Sequence, residues 1–327
     1  TLATISRNRI MNNTAHGTPY YQINGAGIYD CDGLIEYNLI ADNTSSYGGG
    51  LGRCDGTIRF NEITRNTAAH PDGWVGKGGG LFYCAAVIHD NTITSNTASA
   101  TSSARGGGIE NCFGPIHHNL IAYNKCEGEG SSGGGISASH YISDNIIIYN
   151  EGGSGGGVSR GFKDFFNNIV AFNKATLTNG GGLVDVAMDH RIAHNTIIMN
   201  SAVGYGGGIS SSSNPVISNC IIWGNTCPQT HLAQLAASST PIYSCIEGWT
   251  EEDTNIAANP MLINPANGDF SLDPDSPCVD AGQLIEDMAT DLAGNARGFD
   301  GSTDLLGDGS DYDMGALESL LKQNAVI

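Results

Sequence analysis

The chain is short of charge. Asp, Glu, Lys and Arg make up only 14% of its 327 residues, against about a quarter in an ordinary domain. Basic residues are scarcest: 14 Lys and Arg face 33 Asp and Glu, for a net charge of −19. That balance excludes nucleic acid as a partner, because phosphate binding needs a basic face. It disfavours an anionic membrane surface for the same reason. Long apolar runs are missing too. The longest run of Ile, Leu and Val is Ile146–Ile148, far short of the ~20 apolar residues of a spanning helix. Thr1 carries no signal-peptide pattern, so any targeting segment is absent or already removed. Thr1 also starts almost directly on a repeat, as expected of a piece of something longer.

What is abundant is glycine, 46 residues, roughly twice ordinary usage. Much of it sits in a repeat. The phrase Ile-x-x-Asn-x-Ile-x-x-Asn occurs at Ile5/Asn8/Ile10/Asn13, Ile35/Asn38/Ile40/Asn43, Ile58/Asn61/Ile63/Asn66 and Ile88/Asn91/Ile93/Asn96. It continues at Ile116/Asn119/Ile121/Asn124, Ile142/Asn145/Ile147/Asn150, Phe165/Asn168/Val170/Asn173 and Ile192/Asn195/Ile197/Asn200. Ile217/Cys220/Ile222/Asn225 and a broken copy at Ile242/Cys245 close the series, which places both cysteines at the first Asn position. Between copies comes a glycine triple followed by an aliphatic, as in Gly48–Leu51, Gly78–Leu81, Gly106–Ile109 and Gly206–Ile209.

Each repeat thus holds three short apolar pieces separated by corners. The pieces are too short for helices and rich in Ile, which suits strands. Three short strands per turn, stacked turn on turn, predict an all-β right-handed parallel β-helix over residues 1–246, of about nine to ten coils. With ~4.8 Å between coils the rod is roughly 45 Å long. The inward aliphatics form the core. The corner Asn residues are expected to adopt the left-handed conformation and to stack as amide ladders. Cys31, Cys54, Cys84 and Cys112 each lie three residues after the aliphatic, so they form a column of small buried side chains. The alternative is oxidation of stacked neighbours, which coil spacing permits.

Residues 247–327 differ. They hold 17 acids and two bases, and six of the ten prolines fall at or after Pro228. They form an irregular, acidic C-terminal cap, since a repeat array needs an atypical end. Asp300, Asp304, Asp308, Asp311 and Asp313, interspersed with Gly, are candidate calcium ligands, although the spacing is not that of an EF-hand.

The repeat phrases resemble right-handed parallel β-helix proteins of the pectate-lyase-like superfamily. They are also similar to the Gly-Gly-aliphatic and Phe-x-x-Asn repeats of polymorphic outer-membrane adhesins. The phrases Asn259–Leu262, Asn267–Leu272, Asp275–Gly282, Asp291–Arg297 and Asp311–Glu318 resemble the terminal module of large secreted bacterial β-helix proteins. The resemblance implies a bacterial, extracellular or cell-surface protein, and in that family the Asp-rich stretch reads like a calcium loop. It says less about activity, because the fold hosts lyases, hydrolases, epimerases, adhesins and tailspikes. Self-association is a further expectation.

Loop length varies on one edge, between the second Asn and the glycines, mostly in the first half of the chain. Insertions on one face of a solenoid build its binding face. These loops carry Tyr20, Tyr21, His70, Trp74, Lys77 and Arg105. The aromatics offer apolar faces to sugar rings, and the bases pair with uronate carboxylates. The expected partner is therefore a polysaccharide or cell-surface glycan. The alternative is a calcium-assisted polysaccharide lyase or epimerase on acidic glycans, which needs a base and a charge stabiliser. Asp30, Asp32, Arg53, Asp55 and Arg160 are placed to supply such groups, but no pectate-lyase signature surrounds them. No Asp-Asp pair supports a hydrolase. His117 and His118 are expected to face opposite ways on an extended chain. The glycine triples do not match the dinucleotide fingerprint.

Overall fold

The computed structural model describes residues 3–15, 25–161, 163–186, 190–250, 254–299 and 306–319. It is an all-β parallel solenoid of about nine coils, with only two short 3₁₀ turns among the described residues. Three long parallel sheets run the length of the rod. The first has nine strands, from Thr4–Ser6 to Val216–Ser218. The second has ten, from Arg9–Met11 to Cys245–Ile246. The third has nine, from Ile28–Tyr29 to Leu235–Ala236, and follows the glycine triples. A shorter seven-stranded sheet lies between the second and third.

Register explains why the repeat folds this way. Ile35 pairs with Ile58, Ile88 with Ile116 and Ile142 with Phe165, so identical positions stack coil over coil. In the three-residue strands of the solenoid from the second coil onward, the middle residue points inward and is buried. The Asn columns are continuous ladders. Asn96 Nδ2 donates to Asn124 Oδ1 at 3.0 Å and to the Ile63 carbonyl at 2.9 Å. Its Oδ1 accepts from the Asn66 amide and from Asn66 Nδ2, both at 3.0 Å. The second ladder ends on Gln234, whose Oε1 accepts from Asn225 Nδ2 at 2.7 Å.

The left-handed backbone is not where the sequence suggested. It belongs to the residue before each ladder Asn, with φ of +54° at Tyr37, +52° at Phe60 and +57° at Tyr123. The ladder Asn must turn its amide inward, so the neighbour takes the corner strain, about 1–2 kcal/mol each. Aromatic corners recover part of this by stacking: Tyr123, Tyr149 and Phe172 lie ring on ring at 5.0 and 4.9 Å. The glycine triples are required by space. Gly78 has φ +65°, and a Cβ on Gly79 would run into the Gly107 carbonyl of the next coil.

The cysteine column is a third, weaker ladder. Cys84 Sγ accepts from the Cys54 amide at 3.4 Å, and Ser139 Oγ accepts from the Cys112 amide at 3.2 Å. All nine cysteines are free thiols. Cys220 holds the first Asn position, but Cys245 does not. The last coil slips by one residue: Ser244 Oγ meets the Cys220 amide at 3.1 Å, while Cys245 pairs with Ile221 and faces outward.

The C-terminal segment is irregular, as expected, but its main contact is with a flank of the rod. Phe270, Leu272, Cys278, Val279, Met314 and Ala316 pack on Ile169, Ala171, Ile198, Ile221 and Cys245. At the C-terminal end of the rod, Leu235 of the last third-sheet strand and Trp249 pack on the main solenoid core. Corner residues anchor the segment: Asn219 Nδ2 donates to the Gln283 carbonyl at 2.8 Å, and Arg297 Nη2 donates to Asn167 Oδ1 at 2.9 Å.

Candidate functional site

The long loops form a lobe on the edge between the second and third sheets. After Thr67–Ala69 the chain leaves the coil, turns at Pro71-Asp72-Gly73 and returns through Gly76–Lys77. Thr97–Ser99 and Ala104–Arg105 repeat this one coil on. Ala68, Ala98, Ala100, Ala104 and Cys126 form a small core between the layers. The returning strands pair in parallel, which puts Lys77 in register with Arg105, about 4.8 Å apart along the rod.

These cations border buried groups. Lys77 Nζ sits 5.8 Å from the centroid of Tyr47, which stacks at an angle on Phe82 at 5.1 Å. Burial pushes the Tyr47 phenol pKa up. One strand over, Glu110 is in register with Phe82 and Ser137 and is only 3% exposed. Its Oε2 is buried with no hydrogen-bond partner, and so is Arg105 Nε. Burial lifts the Glu110 pKa to about 7, against the opposing pull of Ser137, Arg105, Lys77 and Arg160. Arg105 and Lys77, with Arg160 as a lesser influence, therefore act on one buried carboxyl whose pKa lies near neutrality. Such a set attracts an anion and can give or take a proton at neutral pH.

The sequence-predicted residues divide. Lys77 and Arg105 come together. Trp74 stands at the lobe tip, 67% exposed. His70 serves the turn instead: its Nδ1 accepts from the Asp72 amide at 3.1 Å, and its carbonyl takes the Gly73 amide at 2.8 Å. Tyr20 and Tyr21 lie outside the described residues. Asp55 accepts the Ala85 amide at 3.0 Å, a backbone duty. Arg160 lies 3.8 Å from Asp185. Glu110 was missed. The signal was a lone acid at a position that elsewhere holds an uncharged residue: Tyr29, Gly52, Phe82, Ser137, Ser159, Val184, Ser210 or Ala236.

His117 and His118 do not point apart. His118 occupies a corner with φ +54°, not an extended strand, and the two Nδ1 atoms approach to 3.0 Å. His89 stacks on His117 at 5.1 Å. Beside them a cleft of about 480 Å³ opens where the C-terminal segment meets the flank, lined by Asp90, His118, Asp144, Ile146, Phe270 and Leu292 among others. Its acids already have partners: Asp90 Oδ2 is 2.7 Å from His89 Nδ1, and Asp144 Oδ1 accepts from Asn167 Nδ2 at 3.0 Å.

Of the proposed calcium ligands, Asp300 and Asp304 lie outside the described residues. Asp308 accepts the Leu284 and Ser310 amides, both at 3.0 Å. Asp311 sits in a left-handed corner at φ +59°. Asp313 is fully buried; it accepts the Asp280 amide at 2.8 Å and the Ser319 amide. It lies in a polar core with Glu318, whose carboxylate takes Arg297 Nη1 at 3.1 Å. Among the described residues, no group of three or more His, Cys, Asp or Glu side chains is arranged to hold a metal ion.

Comparison with known families, curated proteins and solved structures finds no match to the chain. Among the described residues, no helix is long and apolar enough to cross a membrane.

Proposed function

We propose that this chain is an extracellular or cell-surface β-helix that binds acidic polysaccharide along its lobed edge. The supporting observation is the in-register pair Lys77 and Arg105 beside buried Glu110. It is a cationic patch on a chain of net charge −19, and charge of that sign selects carboxylate-bearing ligands. Trp74 at the lobe tip adds an apolar face for a sugar ring. The test is a glycan array followed by calorimetry with an oligogalacturonate. A Lys77→Met/Arg105→Met double variant loses binding while its melting midpoint holds. Binding to neutral glycans alone overturns the reading.

A second reading, lyase or epimerase, is favoured by Glu110. A carboxyl poised near neutrality beside fixed cations is the pairing that proton abstraction next to a uronate carboxylate needs. Unsaturated-uronate absorbance, followed with calcium and with chelator, tests lyase action; no rise removes it for the polysaccharides tried. Calcium as a staple of the C-terminal segment rests on Asp300, Asp304 and Asp311, since Asp308 and Asp313 serve backbone amides. A melting midpoint that ignores chelator sinks it. Self-association is read by sedimentation.

A further inference from the structure

The lobed edge gathers buried polar atoms without a hydrogen-bond partner, Glu110 Oε2 and Arg105 Nε, together with the hydroxyl of Ser137 in register with Glu110. A buried acceptor or donor left unmet is costly, so a ligand that serves both gains accordingly. Resting on the acidic-glycan reading, we propose that a ligand carboxylate is held by Lys77 and Arg105 while Glu110 is protonated and donates a hydrogen bond to it, so that above neutrality each bound carboxylate carries one proton in.

The physics is that of two carboxyls in one site. They cannot both stay ionised at close range, and one takes the proton. An acid–carboxylate bond is also among the stronger hydrogen bonds available. The groups that act on Glu110 come from several elements. Gly76–Lys77 supplies Lys77, Ala104–Arg105 supplies Arg105, and the corner after Val158–Ser159 supplies Arg160. Lys125–Glu127 contributes Cys126, whose thiol burial pushes up to about 12, so it stays neutral. Ile136–Ser137 contributes a hydroxyl. With burial already lifting the Glu110 pKa to about 7, a second negative charge beside it moves the proton balance further toward uptake. The fold also tolerates a smaller polar group here, because Ser137 and Ser159 fill the same register on the next two coils.

The experiment is calorimetry with trigalacturonate across the neutral range, in two buffers of different ionisation heat. The wild type is expected to bind with an affinity that is flat at acid pH and falls up to about tenfold per unit well above neutrality, with uptake approaching one proton. Glu110→Gln, a donor that cannot titrate, is expected to bind within a few-fold of the acid-form affinity at every pH. Glu110→Ser is expected to bind more weakly and equally without slope, and it guards against a folding defect in the first variant. A wild type without pH dependence, or a folded Glu110→Gln that no longer binds, overturns the proton-carrying role and leaves the acidic-glycan reading standing. A wild type that ignores trigalacturonate at every pH overturns both.

Discussion

Cutting one rung from an Asn ladder should cost more than any single aliphatic in a chain of short strands suggests. Asn96 is fully buried near the middle of the rod and makes four side-chain hydrogen bonds, two given and two received. Asn96→Ala removes all four. At about 1 kcal/mol net each the loss is near 4 kcal/mol. Part of it is sharper than the average, because the Asn66 amide loses its acceptor inside the core. Asn8 is the control. It is exposed at the first coil and only donates, to the Ser6 carbonyl at 2.9 Å and to Asn38 Oδ1 at 3.1 Å. Asn8→Ala should cost under about 1 kcal/mol.

A stacked array need not unfold in one step, so a global midpoint is the weaker readout. The stronger one is amide hydrogen exchange at a named site. In Asn96→Ala the Asn66 amide should exchange orders of magnitude faster, while the inward Ile58 amide on the same coil changes less. If Asn66 keeps its protection, or if the Asn96 and Asn8 variants melt together, the ladder is not what joins the coils.

Three further outcomes follow from buried groups. Arg297→Met leaves Glu318 without its ion-pair partner in a pocket where both side chains are fully buried; breaking such a pair costs about 3–5 kcal/mol, so limited proteolysis should clip the C-terminal segment and spare the rod. Stability of that segment should fall as pH rises toward 8. Burial lifts the Asp313 pKa to about 8, so its contribution is complete below the unfolded pKa and lost as pH climbs through the folded one; buried His194, held neutral and shifted down, acts oppositely and weakens the segment as pH drops below the ordinary His range. Amide protection over residues 278–298, corrected for the intrinsic pH dependence of exchange, should therefore fall between the ordinary His range and pH 8, and a steady gain in protection up to pH 9 would contradict it. Cys84→Ser should cost under about 1 kcal/mol, because Ser139 already fills that column, whereas Cys84→Leu overpacks the core by about 1–3 kcal/mol; equal melting of the two variants would show that the column is not tightly packed.

The core was legible because stacking makes every buried position repeat. Ile35, Ile58 and Ile88 are neighbours in space because they are neighbours in phase. The lobe was legible from loop length, and with it Lys77 and Arg105. The corners were not. Asn prefers left-handed backbone in general, yet here the ladder claims its amide, and Tyr37 or His118 takes that strain one residue earlier. That one-residue shift also overturned the expectation that His117 and His118 point apart. Cys245 misled for a related reason: its phrase matches the repeat, but only hydrogen bonding reveals the slipped register. Glu110 was invisible as a buried group because its neighbours in register are a Phe and two Ser, and nothing in that column marks the position as enclosed by a lobe from the preceding coils.

The placement of the C-terminal segment follows from residues that the repeat phrase leaves free. In each strand of the second sheet the middle residue fills the core, so its two neighbours decide the outer flank. The third and fourth coils present Glu62 with Thr64 and Thr92 with Thr94, after Leu39 with Ala41 on the second; from Leu120 with Ala122 onward the pairs are mostly apolar, as in Ile146 with Ile148, Ile169 with Ala171, Thr196 with Ile198 and Ile221 with Trp223. Full burial of one such aliphatic is worth about 1.5–3 kcal/mol, and Ile169, Ile198 and Ile221 are all buried beneath the segment. Glu62, Thr64, Thr92 and Thr94 break the apolar stripe in the earlier coils, so no run of comparable length is offered there. The segment therefore settles where the outer face turns apolar, and Asn167 and Asn219, at corners that hold Tyr37 and Phe60 earlier in the rod, receive its backbone and Arg297. The same rod thus carries an apolar flank for its own C-terminal segment in its later coils and a cation-bearing lobe in its earlier ones. The repeat that builds the core constrains neither.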